Sequence, residues 1–238
     1  MQLTTYRRLA GNFIHFHNDA LWPKEMKNVM LECCAVIPNF VTEQEEASLL
    51  DEVNPHMKRM RYEKSHWDDA IHLYREREQL KWKKENETIL NRMRKYSFKE
   101  GDKQLLFVHI LDLHEDGVIK PHIDSVRYCG DVITGLSLLS DAVMRLRHKD
   151  QKDQLIVDLF LQRRSLYRMG EFSRYEFYHE VLGKTESRFM GKPVPRSRRI
   201  SIVCRDLPRN IQQSKLHTTS NITEKRQLLQ QSDTEQII

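Results

Sequence analysis

The sequence predicts a mainly β fold with N-terminal helices, built on a double-stranded β-helix (jelly-roll) core. Between residues 105 and 207 the chain carries eight short runs of β-type residues, separated by turn residues. Such spacing is typical of double-sheet barrels. Residues before 105 instead carry helical patterns and a helix-capping motif. A length of 238 residues suits one domain of this kind with tails at its ends.

The N-terminal half predicts one strand and two helical regions. Residues 36–40, VIPNF, form a short apolar run that favours a strand. A helix is predicted to begin after Thr42, because Glu45 follows at the spacing of a capping box. Residues 71–96 are rich in Glu, Lys and Arg, with apolar residues at loosely helical spacing. This pattern predicts one long amphipathic helix with a single break.

The C-terminal half predicts the strands of the barrel. The eight runs lie at residues 105–113, 118–124, 131–139, 143–148, 155–161, 165–169, 175–182 and 198–207. Between the first two runs, residues 114–117 read HEDG, which we interpret as a turn.

Three parts are expected along the chain: a targeting or disordered segment at residues 1–30, a folded domain at 31–207 and a disordered tail at 208–238. Residues 1–18 are basic, free of acidic side chains and mildly amphipathic. These properties favour a mitochondrial transit peptide, with an ordinary disordered tail as the alternative. No apolar run reaches the roughly 18 residues of a membrane-spanning helix, so we expect no membrane span.

The charge of the chain is concentrated in one segment. The net charge is +5, and residues 55–104 hold 14 basic and 9 acidic side chains, an excess equal to that whole value. Either a solvated helix face or a phosphate-facing patch explains such a segment. The four cysteines form no CxxC pair, which argues against a zinc site or a disulfide framework.

Histidines supply the candidate metal ligands. Non-haem iron oxygenases hold Fe(II) with two His and one carboxylate, and His-x-Asp is the usual trace of two of these ligands. The sequence contains five such pairs: His17/Asp19, His66/Asp68, His114/Asp116, His122/Asp124 and His148/Asp150. We favour His122 and Asp124, because they end an extended run and residues two apart on a strand point the same way. The other pairs fall in the N-terminal segment, a predicted helical region or polar turns.

The later strands hold candidates for the third metal ligand and for a cation. An iron oxygenase that uses 2-oxoglutarate needs such a cation to bind the far carboxylate of this cosubstrate. His179 shares one face of its predicted strand with Tyr175 and Phe177, although an ordinary core histidine has the same setting. Arg199 opens the strand RRISIVCR, on the face opposite Ile200. Its planar fork suits the far carboxylate of 2-oxoglutarate. A strand-edge Arg in water is the alternative.

Several motifs together resemble the AlkB-homologue family of Fe(II)- and 2-oxoglutarate-dependent dioxygenases. They are KPHID at 120–124, GLSLLS at 135–140, SLY at 165–167, His179-Glu180 and PRSRRISIVCR at 195–205. HWDDAIH at 66–72 and RYE at 61–63 narrow the resemblance to the mitochondrial AlkB homolog 7 branch. The resemblance implies that the iron ligands are His122, Asp124 and His179. It also implies that Tyr167 and Arg199 hold 2-oxoglutarate and that Arg205 completes the Arg-x5-Arg signature of the family.

The resemblance also implies an activity. A dioxygenase of this type uses Fe(II), O₂ and 2-oxoglutarate, releases succinate and hydroxylates a substrate C–H bond. It further implies a mitochondrial role, which we place in the matrix, linked to alkylation-triggered necrosis and fatty-acid metabolism. The alternatives are a demethylase of N-methylated mitochondrial RNA and a non-catalytic interaction module.

Departures from the wider family bear on the substrate. Nucleic-acid demethylases of the family carry Asn-x-Tyr before the iron site, where this sequence has His109 and Leu111. No lid hairpin is evident in the basic segment at 55–104, which the pattern predicts to be helical. We therefore expect a protein substrate in preference to RNA, no double-stranded DNA substrate, and a monomer.

Overall fold

The computed structural model describes residues 12–209. Its α-helices are α1 (Lys24–Cys33), α2 (Glu43–Met57), α3 (Lys84–Ser97) and α4 (Glu171–Glu176), with a 3-10 helix at Asp19–Leu21. Its strands are β1 (Ile14–Phe16), β2 (Cys34–Ile37), β3 (Glu63–Ser65), β4 (Ile71–Gln79), β5 (Val108–His122), β6 (Val132–Leu138), β7 (Ala142–His148), β8 (Ile156–Leu161), β9 (Ser165–Gly170), β10 (Phe177–Val181), β11 (Arg188–Phe189), β12 (Lys192–Pro193) and β13 (Arg199–Arg205). No helix among these residues is long and apolar enough to cross a membrane.

One large antiparallel sheet forms the body of the protein. Nine of its eleven strands follow the order β1-β8-β7-β10-β5-β13-β6-β9-β2, and β4 joins at β5 with β3 beside it. The sheet curls into a nearly closed barrel, so the predicted jelly-roll core is confirmed. β5 is the central strand of the site: it pairs with β13 over residues 109–113, with β10 over 119–122 and with β4 along most of its length.

Two apolar clusters lie on opposite faces of this sheet. The inner cluster fills the barrel and includes Val203 of β13 and Phe177 of β10. The outer cluster includes Ile200 and Ile202 of β13, which pack with residues of α2 and α3 such as Leu90. This alternation confirms the predicted two faces of the last strand. It directs Arg199 and Arg205, which alternate with Ile200 and Ile202, toward the barrel interior.

The predicted long helix at residues 71–96 is wrong in its first part. Residues 71–79 form β4, which pairs with β5 along nearly its whole length. Arg75 of β4 is buried against Asp112 of β5, Nε to Oδ2 2.8 Å. This buried partner stabilises the strand although the Glu and Arg residues of the segment favour a helix. The helix α3 begins only at Lys84, whereas the capping box of Thr42 and Glu45 is confirmed at the start of α2.

The predicted turn at residues 114–117 is also wrong, because β5 runs through it as one strand. The register changes there from Tyr74 opposite Leu113 to His72 opposite Val118, so the extra residues form a bulge. Gly117 lies in this bulge, where a Cβ atom would stand 2.8 Å from the Leu73 carbonyl oxygen.

The fold begins before the predicted boundary at residue 31. β1 pairs with β8, and Trp22 and Met30 are buried in the inner cluster. These contacts bury apolar side chains that the N-terminal pattern had assigned to a separate segment. The expected targeting or disordered segment at residues 1–30 and the expected tail at 208–238 lie outside the described residues except at 12–30 and 208–209.

Candidate active site

Three of the predicted site residues meet at one end of the barrel. His122 ends β5, Asp124 follows it, and His179 of β10 is the direct cross-strand partner of His122. Asp124 Oδ1 lies 3.2 Å from His122 Nε2 and 3.8 Å from His179 Nε2, and one candidate ligand atom from each residue lies within 4.8 Å of the others. The arrangement has the composition of a facial two-His, one-carboxylate site.

The protonation states of His179 and Asp124 suit metal binding. Burial and the neighbouring His122 lower the pKa of His179 to about 3, so its imidazole is neutral. Burial opposes ionisation of Asp124, but the contact with His122 and the charge of Arg205 hold its pKa well below the usual range. Burial lowers the pKa of His122, and the contact with Asp124 outweighs it and raises that pKa overall. The Nδ1 of His122 donates to the Lys120 carbonyl oxygen over 2.9 Å, which leaves Nε2 as the ligand atom.

A second group of possible ligands has different surroundings. Among residues 12–209, His114, Glu115 and Asp116 also gather within 4.8 Å. They are consecutive residues in the β5 bulge, and both acidic side chains are exposed. Lys184 lies 3.6 Å from Asp116 and already supplies a positive charge. We do not assign a metal site there.

Two of the residues predicted to bind 2-oxoglutarate, Arg199 and Tyr167, are buried in the barrel. Arg199 is 1% exposed and donates from Nε to Ser137 Oγ over 2.9 Å. Its guanidinium carbon lies 6.0 Å from the centre of the Tyr167 ring. Its Nη2 is buried and has no hydrogen-bond partner among the described residues. Burial lowers the pKa of Arg199, which indicates a cation that lacks an anionic partner. The alternative of a strand-edge Arg in water is excluded by its burial.

Arg205 lies near the candidate metal ligands and contacts Asp124. Its Nη2 is 3.5 Å from Asp124 Oδ2, and its Nη1 donates to His109 Nδ1 over 3.0 Å. His109 Nε2 in turn lies 3.0 Å from Glu76 Oε2. Sequence reasoning missed Glu76, because its segment was assigned to a helix. Residues 71–79 read IHLYREREQ, and the charged second half of this segment carries no strand signal at Glu76.

A hairpin that the sequence pattern did not indicate borders the site. β3 pairs with β4, and the connection between them carries Trp67, which is 85% exposed. The Lys120 amide donates to the Ala70 carbonyl oxygen, so the connection lies beside the end of β5 that carries His122. The expectation that this region has no hairpin is therefore wrong.

The basic segment at 55–104 is divided between two sides of the sheet. Its helix α3 packs on the outer cluster through Ile89, Leu90 and Met93, on the face opposite the candidate ligands. Lys83, at the start of α3, donates its amide to Glu52 of α2 on this outer side. Lys81, Lys83 and Lys84 therefore lie away from the site.

Comparison with known proteins identifies relatives of this chain by sequence. No protein-family model matches the chain. The bovine protein named alpha-ketoglutarate-dependent dioxygenase alkB homolog 7, mitochondrial, is 44% identical over 177 residues, which cover 74% of this chain and 80% of the bovine protein. The mouse protein of the same name is 46% identical over 173 residues, covering 73% and 78%.

Solved structures share the fold at low sequence identity. OsALKBH1 superposes with a TM-score of 0.51 at 10% identity, over 73% of this chain and 97% of that one. A prolyl hydroxylase from Trichoplax adhaerens, in complex with a peptide fragment of hypoxia inducible factor, gives 0.53 at 13% identity, over 88% and 93%. These likenesses concern the fold alone.

Proposed function

Because the chain belongs to the family of the mitochondrial AlkB homolog 7 alpha-ketoglutarate-dependent dioxygenases, we propose that it is an Fe(II) enzyme that hydroxylates a protein side chain in the mitochondrial matrix. Alpha-ketoglutarate is 2-oxoglutarate, and dependence on it as cosubstrate follows from the family. The metal ligands, the protein substrate and the compartment are the proposed parts. Since the family is enzymatic, the interaction-module alternative is set aside.

The proposed iron ligands are His122, Asp124 and His179. Two neutral imidazoles and one carboxylate would balance half of the Fe(II) charge and fill three coordination positions, which leaves the others for cosubstrate and O₂. The neutral His179 and the ionised Asp124 both offer a free lone pair without losing a proton. When bound, Fe(II) supplies the redox chemistry that couples oxidative decarboxylation of 2-oxoglutarate to substrate hydroxylation.

Arg199 is the proposed anchor for the far carboxylate of 2-oxoglutarate. The unpartnered Nη2 of this buried guanidinium supports the assignment, since a carboxylate would satisfy both its charge and its hydrogen bond. Ser137 fixes the other side of the guanidinium through Nε, and the buried ring of Tyr167 borders it. Arg205, near Asp124, is proposed to bind at the metal end of the same molecule.

The position of the basic segment supports a protein substrate over RNA. Lys81, Lys83 and Lys84 flank Trp82, which packs on the outer cluster, and the amide of Lys83 binds Glu52 on that side, so we infer that they do not form a phosphate track leading to the site. The charged groups beside the site are of both signs: Asp69 of the hairpin contacts Lys120 of β5 at 2.6 Å and His72 of β4 at 2.9 Å. In these described contacts the positive charge of Lys120 is already paired with Asp69, which disfavours a nucleic-acid backbone there.

The test compares the two substrate classes with the full chain, Fe(II), 2-oxoglutarate and O₂. We expect matrix proteins to stimulate succinate formation and to gain one oxygen atom in peptide mass spectra, without formaldehyde. Asp124→Ala is the inactive control. Combined alanine substitution of Lys81, Lys83 and Lys84 is expected to leave this activity unchanged. Stimulation by matrix RNA alone, with loss in the lysine variant, would contradict the proposal.

Trp67 favours a second candidate, the demethylation of N-methylated mitochondrial RNA. An exposed indole on a hairpin beside the site suits stacking on an unpaired base. In that case the hydroxylated methyl group leaves as formaldehyde, and binding falls steeply with salt. Trp67→Ala would then weaken RNA-dependent turnover far more than Trp67→Phe.

The cellular role belongs to the same proposal. We connect the enzyme with alkylation-triggered necrosis and fatty-acid metabolism, on the family resemblance. Replacing the native protein with Asp124→Ala in cells, and measuring survival after an alkylating agent and fatty-acid oxidation, tests both links. Unchanged survival and oxidation would remove them while leaving the hydroxylase proposal in place.

A further inference from the structure

A chain of four polar side chains connects β4 to the candidate metal ligands. Glu76 Oε2 lies 3.0 Å from His109 Nε2, and His109 Nδ1 lies 3.0 Å from Arg205 Nη1. Arg205 Nη2 lies 3.5 Å from Asp124 Oδ2. The chain therefore ends on the second carboxylate oxygen of Asp124, whose Oδ1 faces His122 and His179.

The hydrogen-bond donors and acceptors along these four side chains determine the tautomer of His109. Arg205 offers only N–H donors, so the Nδ1 atom that faces it is an acceptor. A neutral imidazole then carries its proton on Nε2, the atom that faces Glu76. The contact with His109 lowers the pKa of Glu76 although burial opposes it, so Glu76 is a carboxylate at neutral pH. Nε2 is buried and makes no hydrogen bond of ordinary geometry among the described residues. The Glu76 oxygen 3.0 Å away is an acceptor close to its proton, and it favours the tautomer that can receive Arg205.

The orientation of Arg205 depends on His109. The Nε of Arg205 is buried and has no hydrogen-bond partner among residues 12–209. His109 is therefore the acceptor that fixes the direction of the guanidinium toward Asp124. The backbones support this arrangement, since Val203 of β13 pairs with His109 of β5, and His109 pairs with Glu78 of β4.

We infer that Glu76 and His109 are positioning residues that hold Arg205 against Asp124 and so orient this carboxylate for the metal ion. The inference rests on the ligand set of the proposed function. A ligand carboxylate binds well when its second oxygen is held by an outer hydrogen-bond partner, and loss of such partners costs about 10–100-fold in metal affinity.

The test measures Mn(II) affinity of the full chain by electron paramagnetic resonance, without cosubstrate or turnover. His109→Leu removes the acceptor, and we expect about tenfold weaker binding. His109→Asn places an amide oxygen near the Nδ1 position and is expected to retain most of the affinity. Glu76→Leu is expected to weaken binding as His109→Leu does, whereas Glu76→Gln still offers an oxygen to the Nε2 proton and is expected to retain it.

His17→Leu is the matched control. His17 lies 2.7 Å from the buried carboxylate of Asp158 and has no contact with the four-residue chain in the described structure. Its loss is expected to leave Mn(II) affinity unchanged. Wild-type affinity in His109→Leu, or equal weakness of the Asn and Leu variants, would overturn the inference.

Two further measurements separate possible failures. If the Leu variants do not fold, His109→Asn is compared with His109→Gln, whose amide oxygen falls near Nε2 and cannot receive Arg205; equal affinities would overturn the inference. If the wild type binds Mn(II) no better than Asp124→Ala does, the ligand set itself fails, and with it the proposed function. Tight wild-type binding with no effect of His109 substitutions overturns only the positioning role.

Discussion

Replacing Arg199 with Met is expected to stabilise the protein without ligand and to abolish cosubstrate binding. Arg199 is 1% exposed, and no carboxylate pairs with it among the described residues. Removing a buried guanidinium from water costs several kcal/mol, and Met fills similar space without that cost. The substitution loses the Ser137 hydrogen bond, about 1.5–3 kcal/mol, and a Tyr167 contact of about 1 kcal/mol. We expect a net gain of about 1–3 kcal/mol in the free energy of unfolding.

The effect on 2-oxoglutarate has the opposite sign. A carboxylate held by two charge-assisted hydrogen bonds gains about 3 kcal/mol or more, so its loss weakens binding by about 100-fold or more. In wild type, 2-oxoglutarate at 100 times its dissociation constant adds about 2.7 kcal/mol of stability, and this addition should vanish in Arg199→Met.

Thermal unfolding with Mn(II), with and without 2-oxoglutarate, measures both effects. Each kcal/mol shifts Tm by roughly 2–4 °C in a protein of this size. The matched control is Arg75→Met, since Arg75 is buried like Arg199 but pairs with Asp112, Nε to Oδ2 2.8 Å. Asp112 keeps its two hydrogen bonds from Arg198, so loss of the charge-assisted bond from Arg75 should destabilise by about 1.5–3 kcal/mol. A lower Tm for ligand-free Arg199→Met, or a retained 2-oxoglutarate shift, would refute the reasoning.

Three other outcomes are expected. Asp124→Ala should lose Mn(II) binding in titrations while its circular dichroism spectrum stays native; normal metal occupancy would contradict the ligand assignment. Gly135→Ala should raise the KM for 2-oxoglutarate with little change in Mn(II) affinity, because its Cβ would stand 2.5 Å from the Tyr167 hydroxyl; an unchanged KM would show that Tyr167 is not needed. The Asp158 pKa is lowered, since the hydrogen bonds from Arg145 and His17 outweigh burial. Its contribution to stability is therefore complete above the unfolded pKa of about 3.9 and is lost as pH falls through the lower folded value. Asp158→Asn should unfold more easily at pH 7 and show a shallower loss of stability below pH 4 in denaturant titrations; an unchanged acid slope would disprove this linkage.

The strands of the barrel could be predicted from the sequence because their apolar residues alternate or run continuously. β13 shows this most clearly, with Ile200 and Ile202 facing the helices and Val203 facing the barrel. β4 could not be predicted in the same way. Its stability depends on Asp112, which lies on another strand and receives hydrogen bonds from Arg75 and Arg198. Local helix propensity contains no information about such a partner.

The segment before residue 31 shows a second limit. Its basic composition and lack of acidic residues up to Asp19 favour a targeting sequence, yet Trp22 packs face to face with Phe177, with 6.1 Å between ring centres and 4° between planes. That contact joins the N-terminal segment to the strand that carries His179. Composition describes what a segment is made of, whereas its place in the fold depends on a distant aromatic ring that the pattern of the segment does not reveal.

Closeness of a His and an Asp does not by itself distinguish a metal site. His66 Nδ1 lies 2.6 Å from Asp68 Oδ1, closer than His122 Nε2 lies to Asp124 Oδ1 at 3.2 Å. The sequence reasoning excluded the first pair because it expected a helix there, and that reason is wrong, since the pair lies in the connection between β3 and β4. What distinguishes the second pair is His179, placed directly across from His122 by the register of β10 against β5. Register between distant strands depends on the whole barrel, so spacing alone left five pairs open. His179 was a candidate third ligand with a core histidine as the alternative, and the family resemblance then implied that it joins His122 and Asp124.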